Sequence, residues 1–339
     1  MIGILTAGGD CPGLNAVIRA VVRRATQAGH QCLGIRDGWR GLMEDVTQPL
    51  DRDDVAGIMQ QGGTILGTSR MDPYVHGDGI ASVRHTLERH GIDRVIVIGG
   101  EGSLHTGMKL WREGLPVIGV PKTIDNDIFA TDVTFGFHTA VQIATDAIDR
   151  LTTTAESHNR VILVEVMGRN AGWLATYAGI AGGADAILVP EVPYDLEDLA
   201  KLIQDRHARQ RQYSIVVVAE GIAPPPGSSS PRMGKDSFGF ERLGGVSYAL
   251  APLIEEMTGF ETRVTILGHI QRGGSPTAYD RVLATRLGVA ATDLAMAGEA
   301  GVMVALKGDR IIPVPLEEAC AQVRYLDTDV FDVARTFFG

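Results

Sequence analysis

The sequence predicts an α/β protein of two lobes, each a mainly parallel sheet sandwiched by helices. Apolar, β-branched runs recur in front of segments with helical spacing, the alternation that builds parallel sheets. The runs are apolar nearly throughout, as strands covered on both faces are. The chain has 339 residues, more than a single core usually supports, so two lobes are expected.

In chain order, residues 2–6 form a strand entered at once, and 14–28 follow with apolar positions three and four apart. A helix over 81–90 precedes strands at 95–98 and 117–120. A long helix, 137–153, starts where the glycine turns end, which places a lobe boundary near Gly136. The second half repeats the rhythm with strands at 160–166, 186–189, 214–219 and 263–267 and helices at 196–209, 245–257 and 279–297. Residues 224–239, opening with Pro224-Pro225-Pro226-Gly227 and a serine run, break it and read as a surface loop or excursion.

Composition narrows the function. Hydrophobic residues make up 45% of the chain, ample for a packed core. The longest apolar runs, such as 215–219, are strand-sized, far short of the roughly 20 residues a membrane span needs. The start, Met1-Ile2-Gly3-Ile4-Leu5, lacks the basic region and cleavage site of a signal peptide. The three cysteines, Cys11, Cys32 and Cys320, have no metal or disulfide spacing, which fits a reducing cytoplasm. A net charge of -10 argues against a nucleic-acid surface. A phosphorylated small molecule remains possible if arginines are concentrated locally.

Several loops after predicted strands could hold phosphate. Gly8-Gly9-Asp10-Cys11-Pro12-Gly13 lies between a strand and a helix, where glycine lets backbone N–H groups approach an anion and the helix start favours it. It is not an ordinary P-loop, because Leu14-Asn15 stands where that motif needs Lys and Ser or Thr. Gly99-Gly100-Glu101-Gly102-Ser103 repeats the context; Glu101 suits a helix start and could also help position a metal. Gly62-Gly63-Thr64-Ile65-Leu66-Gly67-Thr68-Ser69-Arg70 adds hydroxyls and an arginine.

Beyond the strand at 117–120 comes Pro121-Lys122-Thr123-Ile124-Asp125-Asn126-Asp127. Of two such carboxylates, one can accept a proton from an attacking hydroxyl and the other hold Mg²⁺; the plainer alternative is a polar turn. Met167-Gly168-Arg169-Asn170-Ala171-Gly172 places Arg169 to neutralise a transferring phosphoryl group. Gly268-His269-Ile270-Gln271-Arg272, with Arg263 before it, offers a further anion pocket.

Taken together, these segments resemble the 6-phosphofructokinase family, in family order along nearly the whole chain. The resemblance implies two lobes, residues 1–136 with 271–321 for nucleotide and Mg²⁺, and residues 137–270 with 322–339 for fructose 6-phosphate. It implies glycolytic phosphorylation of the 1-hydroxyl of fructose 6-phosphate. Asp125 would be the general base, Thr123 and Arg169 would stabilise the transferring group, and Glu101 and Asp127 would hold Mg²⁺. Gly8, Arg70, Met71, Glu101, Gly102, Ser103 and Lys122 would line the donor site. Thr123, Asp125, Asp127, Arg160, Met167, Gly168, Arg169, Glu220, Arg263, His269 and Arg272 would bind the sugar phosphate. Arg160 and Arg263 would reach in from a neighbouring subunit, so a homotetramer is implied.

Departures from the family pattern bear on the donor and on control. ATP-using members commonly have Asp where this chain has Glu101 and Gly where it has Lys122. Pyrophosphate-using members commonly have that Lys, together with Asp where this chain has Gly102. A carboxylate there would crowd and repel the α-phosphate of ATP, so Gly102 with Lys122 favours ATP. Pyrophosphate as donor, and a catalytically silent sugar-phosphate or nucleotide sensor, are the alternatives. Arg19, Arg23, Arg52 and Glu191 match the bacterial effector site for ADP or phosphoenolpyruvate, whereas Gly57, Thr152 and Gln212 replace charges it usually has.

Overall fold

The computed structural model describes residues 1–228 and 243–339. Its strands in chain order are β1 (Ile2–Ala7), β2 (Cys32–Ile35), β3 (Thr47–Leu50), β4 (Arg94–Gly99), β5 (Val117–Thr123), β6 (Phe135–Gly136), β7 (Val161–Val166), β8 (Ala186–Leu188), β9 (Ser214–Ala219), β10 (Thr262–Ile266), β11 (Val302–Lys307) and β12 (Arg310–Pro315). The chain divides into two units, residues 1–139 with 272–323 and residues 140–271 with 324–339.

The first unit holds an eight-stranded sheet in the order β12-β11-β5-β4-β1-β2-β3, with β6 continuing beside the end of β5. Strands β2, β1, β4, β5 and β11 run parallel, and β3 and β12 close the two edges antiparallel. β1 is buried along its whole length, and β4 on all but its first residue, which is why their sequences are unbroken apolar runs. One face packs Leu5, Trp39, Val97, Leu104 and Leu316 into a common core.

The second unit holds a four-stranded, all-parallel sheet ordered β10-β7-β9-β8. The expected fold class is therefore what is observed: mainly parallel sheets flanked by helices. Strands β2, β3, β6, β11 and β12 were not among the expected runs, and for all but β11 a physical reason is visible: β6 spans two residues. β2 and β3 span four residues each, and β3 and β12 carry Pro49, Pro313 and Pro315, which survive in sheets at edges.

Helix ends follow local chemistry. Asp195 accepts the N–H groups of Glu197 and Asp198 at 2.7 and 3.1 Å to start the helix Leu196–Ala208. The helix from Phe137 runs on to His158, beyond the expected end. Among the described residues no helix is long and apolar enough to cross a membrane. Most of the loop expected over 224–239 lies outside the described residues.

Candidate active site

Three neighbouring parallel strands, β1, β4 and β5, release their chains at the same end of the first sheet, Ala7 pairing Gly99 and Gly99 pairing Pro121. The turns after β1 and β4 therefore come together although about ninety residues separate them. The helices that follow, Leu14–Gln27 and Glu101–Arg112, have no side-chain cap, leaving first-turn N–H groups for an anion.

Gly8 has φ 84°, and a Cβ there would lie 3.2 Å from Ser103 Oγ and 3.6 Å from Lys122 Nζ. A Cβ on Gly100 would lie 3.7 Å from the same nitrogen. Lys122, near the end of β5, thus threads its ammonium group between the two glycine turns, where it donates to the Gly9 carbonyl. Burial holds this lysine below its usual pKa range, against the pull of Asp125 and Asp10, which favour its charged form. Arg272 joins the same turn, since a Cβ at Gly9 would overlap its Nη1. Its Nε is buried without a hydrogen-bond partner.

The turn over 62–70 is pinned from beneath. Asn15 donates from Nδ2 to the Gln61 carbonyl at 3.1 Å and accepts the Ile65 N–H at 2.8 Å. That explains an asparagine where a P-loop has a hydroxyl: it holds a neighbouring loop. Thr68 Oγ1 donates to the Gly8 carbonyl at 2.6 Å, and the Gly8 N–H donates to the Ser69 carbonyl at 3.0 Å. Arg70 and Met71 follow directly, both half-buried.

Past β5 the chain turns through Asn126, in the left-handed region at φ 55°. Asn126 Oδ1 accepts the Thr134 N–H at 3.0 Å, and Thr134 Oγ1 donates to the Thr123 carbonyl at 2.8 Å, closing the loop. Thr123 Oγ1 accepts the Asp125 N–H at 3.0 Å. Asp125 and Asp127 are 4% and 5% exposed, far too buried for an ordinary solvated turn. Asp125 Oδ1 is buried without a hydrogen-bond partner, an arrangement that costs stability.

In the second unit, β7 leads into the turn carrying Met167, Gly168 and Arg169. Arg169 has φ 53°, and its N–H donates to Glu220 Oε1 at 3.1 Å. A Cβ at Gly221 would overlap the Arg169 carbonyl, so the chain after β9 packs directly on this turn. The Met167 N–H points at Gln271 Oε1, 3.4 Å away. Arg160 and Arg263 share one carboxylate: Arg160 Nε donates to Glu261 Oε2 at 2.7 Å, and Arg263 pairs with Oε1. Arg160 holds Glu261 below the usual carboxylate pKa, with Arg263 adding to the effect. His269 is exposed at the start of the short 3-10 turn Gly268–Arg272.

Of the residues matching an effector site, Arg19 and Arg23 are half-buried and Arg52 is exposed. Glu191 accepts the N–H groups of Gly172 and Leu326. Sequence reasoning missed the parts played by Asn15, which holds the distant turn at 61–65, Thr134, which bonds back to Thr123 and Asn126, and Glu261, which is split between two arginines.

The Phosphofructokinase family matches over residues 1–295. The chain belongs to the phosphofructokinase family. It is 53% identical over 341 aligned positions to a pyrophosphate–fructose 6-phosphate 1-phosphotransferase of Amycolatopsis methanolica, covering 100% of this chain and 99% of that protein. It is 52% identical, with the same coverage, to an ATP-dependent 6-phosphofructokinase of Mycobacterium leprae. Among solved structures, phosphofructokinase of Pichia pastoris in the T-state superposes with a TM-score of 0.83 at 32% identity. That match covers 99% of this chain, which spans only 36% of the Pichia chain. A pyrophosphate-dependent phosphofructokinase of Marinobacter aquaeolei shares the fold at a TM-score of 0.81 and 24% identity, over 97% of this chain and 86% of that one. Phosphofructokinases similar to this chain thus carry names for two different donors.

Proposed function

We propose that this phosphofructokinase transfers the γ-phosphoryl group of ATP to the 1-hydroxyl of fructose 6-phosphate, giving fructose 1,6-bisphosphate and ADP. The observation that carries the reading is Asp125, buried at the end of β5 with Oδ1 unpartnered. In the reaction Asp125 takes the proton of the attacking hydroxyl, the hydroxyl oxygen bonds to the γ-phosphorus, and the bond to the β-bridging oxygen breaks with its electrons leaving on ADP. Little covalent work falls to the protein, so positioning and charge dominate. Thr123 and Arg169 neutralise and orient the transferring group, and Gly8, Arg70, Met71, Gly102, Ser103 and Lys122 line the donor.

Glu101 and Asp127 suit Mg²⁺ as hard carboxylate ligands that leave the remaining positions to phosphate oxygens and water, the usual pattern for this ion. They follow the adjacent strands β4 and β5. When bound, the ion supplies charge neutralisation on the donor phosphates.

ATP is favoured by Gly102, the second residue of the helix Glu101–Arg112, where no side chain occupies the field that would receive the α-phosphate. The pyrophosphate reading draws on Lys122, whose ammonium lies in the glycine cradle and would suit a compact, highly charged donor. Initial rates with fructose 6-phosphate and each donor decide: turnover with ATP and none with pyrophosphate is expected. Turnover with pyrophosphate alone overturns the donor, and turnover with neither overturns the kinase in favour of a sugar-phosphate or nucleotide sensor.

Met167, Gly168, Arg169, Glu220, His269 and Arg272 would bind fructose 6-phosphate, with Arg160 and Arg263 supplied by a neighbouring subunit of a homotetramer. In support, β10 is a sheet edge, and Arg263 and Tyr248 are exposed beside a groove of about 690 Å³ lined also by Pro252, Glu255 and Val264. The Glu261 carboxylate competes with an anionic substrate for both arginines. Glu261→Gln is therefore expected to lower the KM for fructose 6-phosphate about two- to fivefold, the scale of a partly exposed ion pair, with kcat unchanged. An unchanged KM in steady-state assays removes the competition.

A further inference from the structure

We propose that Glu191 is a positioning residue for the Arg169 turn, tying that turn to the C-terminal segment 324–326. Glu191 reaches Gly172, the residue that closes the turn begun at Gly168 and starts the helix Trp173–Ala181. Its two carboxylate oxygens share the Gly172 N–H at 2.9 and 3.1 Å, and Oε1 also accepts the Leu326 N–H at 2.8 Å. A carboxylate at an uncapped helix start is favourable with the helix dipole as well.

The fit leaves no slack. A Cβ on Gly172 would stand 2.5 Å from Val189 Cβ and 2.7 Å from Glu191 Oε2. A second tie lies one residue on: Trp173 Nε1 donates to the Arg324 carbonyl at 3.1 Å, and the Arg324 guanidinium lies 4.0 Å over the Trp173 ring. The C-terminal segment is thereby fastened to the start of this helix through both Glu191 and Trp173.

What is fastened is a strained turn. Arg169 is left-handed at φ 53°, a conformation that persists in a residue with a side chain only where the surroundings over-determine it. Glu220 holds it at its own N–H, and Glu191 holds it three residues downstream. Loss of the Glu191 carboxylate leaves the Gly172 and Leu326 N–H groups without their acceptor and lets the turn relax away from its working geometry.

This inference rests on the proposed role of Arg169 at the transferring group, so Arg169→Ala is the control. In full-length protein, Glu191→Ala is expected to lower kcat tenfold or more with the KM for the phosphoryl donor within about twofold, since small misplacements of a positioned group carry such losses. Glu191→Gln keeps Oε1 as acceptor for both N–H groups and is expected to recover most of kcat, which a simple loss of charge would not allow. A Glu191→Ala protein that melts lower but keeps its kcat, while Arg169→Ala is inactive, overturns the positioning role and leaves Arg169 in place. Full turnover in Arg169→Ala overturns both. Should Glu191→Ala not fold, Trp173→Phe, which loses the bond to the Arg324 carbonyl and part of the ring beneath the Arg324 guanidinium, must lower kcat about threefold, the scale of one such tie. An unchanged kcat there sinks the inference.

Discussion

Replacing Asp125 by Asn is expected to lower kcat by roughly 10²-fold or more while the KM for fructose 6-phosphate changes little, the usual scale for losing a positioned general base. The substitution preserves shape. Its backbone N–H donates to Thr123 Oγ1, and Asn keeps that bond. Oδ1 has no partner to lose, and a buried carboxylate is replaced by a neutral group of the same size, so folding offers no competing explanation for lost turnover. Lys122 loses one of the two carboxylates that favour its charged form, yet its contact with the Gly9 carbonyl is untouched. Steady-state kinetics with thermal unfolding on the same preparation is the measurement. An unchanged kcat would remove Asp125 from the proton-accepting role.

Gly102→Asp should reduce kcat/KM for ATP by about 10²-fold and leave the KM for fructose 6-phosphate within about threefold. The magnitude follows from placing like charges together in a desolvated site, which costs several kcal/mol. Position 102 is in the first turn of an uncapped helix that already carries Glu101. An aspartate there is welcome to the folded protein, worth about 0.3–1 kcal/mol through the helix dipole, so the unfolding midpoint should hold or rise. The same field would otherwise receive the donor phosphates, so the new carboxylate takes their place. Opposite signs for stability and ATP use separate the steric and electrostatic account from general damage. Unaltered ATP kinetics would end the argument that Gly102 selects the donor.

Much of the fold was legible because its signals are local. Unbroken apolar runs such as 2–7 and 214–219 are buried parallel strands, and all seven runs expected to be strands are strands. Of the strands that escaped notice, all but β11 are short or hold proline: β3 keeps Pro49 because an edge strand needs fewer ladder bonds, whereas β11, Val302–Lys307, was simply not recognised. For the site, glycine turns and Asp125-Asn126-Asp127 could be named from residue type and their place after strands. Their partners could not. Asn15 holds 61–65, Thr134 closes 123–127, and Glu261 is divided between Arg160 and Arg263; none of these pairings has a sequence signature.

The sequence by itself determined the fold class, the family resemblance and the residue types available at each strand end, because hydrophobic period and glycine or carboxylate placement act within a few residues. Only the tertiary structure decided which of those ends meet. Strand order is set by hydrogen-bonded register and by burial of whole faces, both properties of the assembled sheet. That order puts β1, β4 and β5 side by side, brings Lys122 Nζ between Gly8 and Gly100, and leaves Asp125 Oδ1 buried and unpaired.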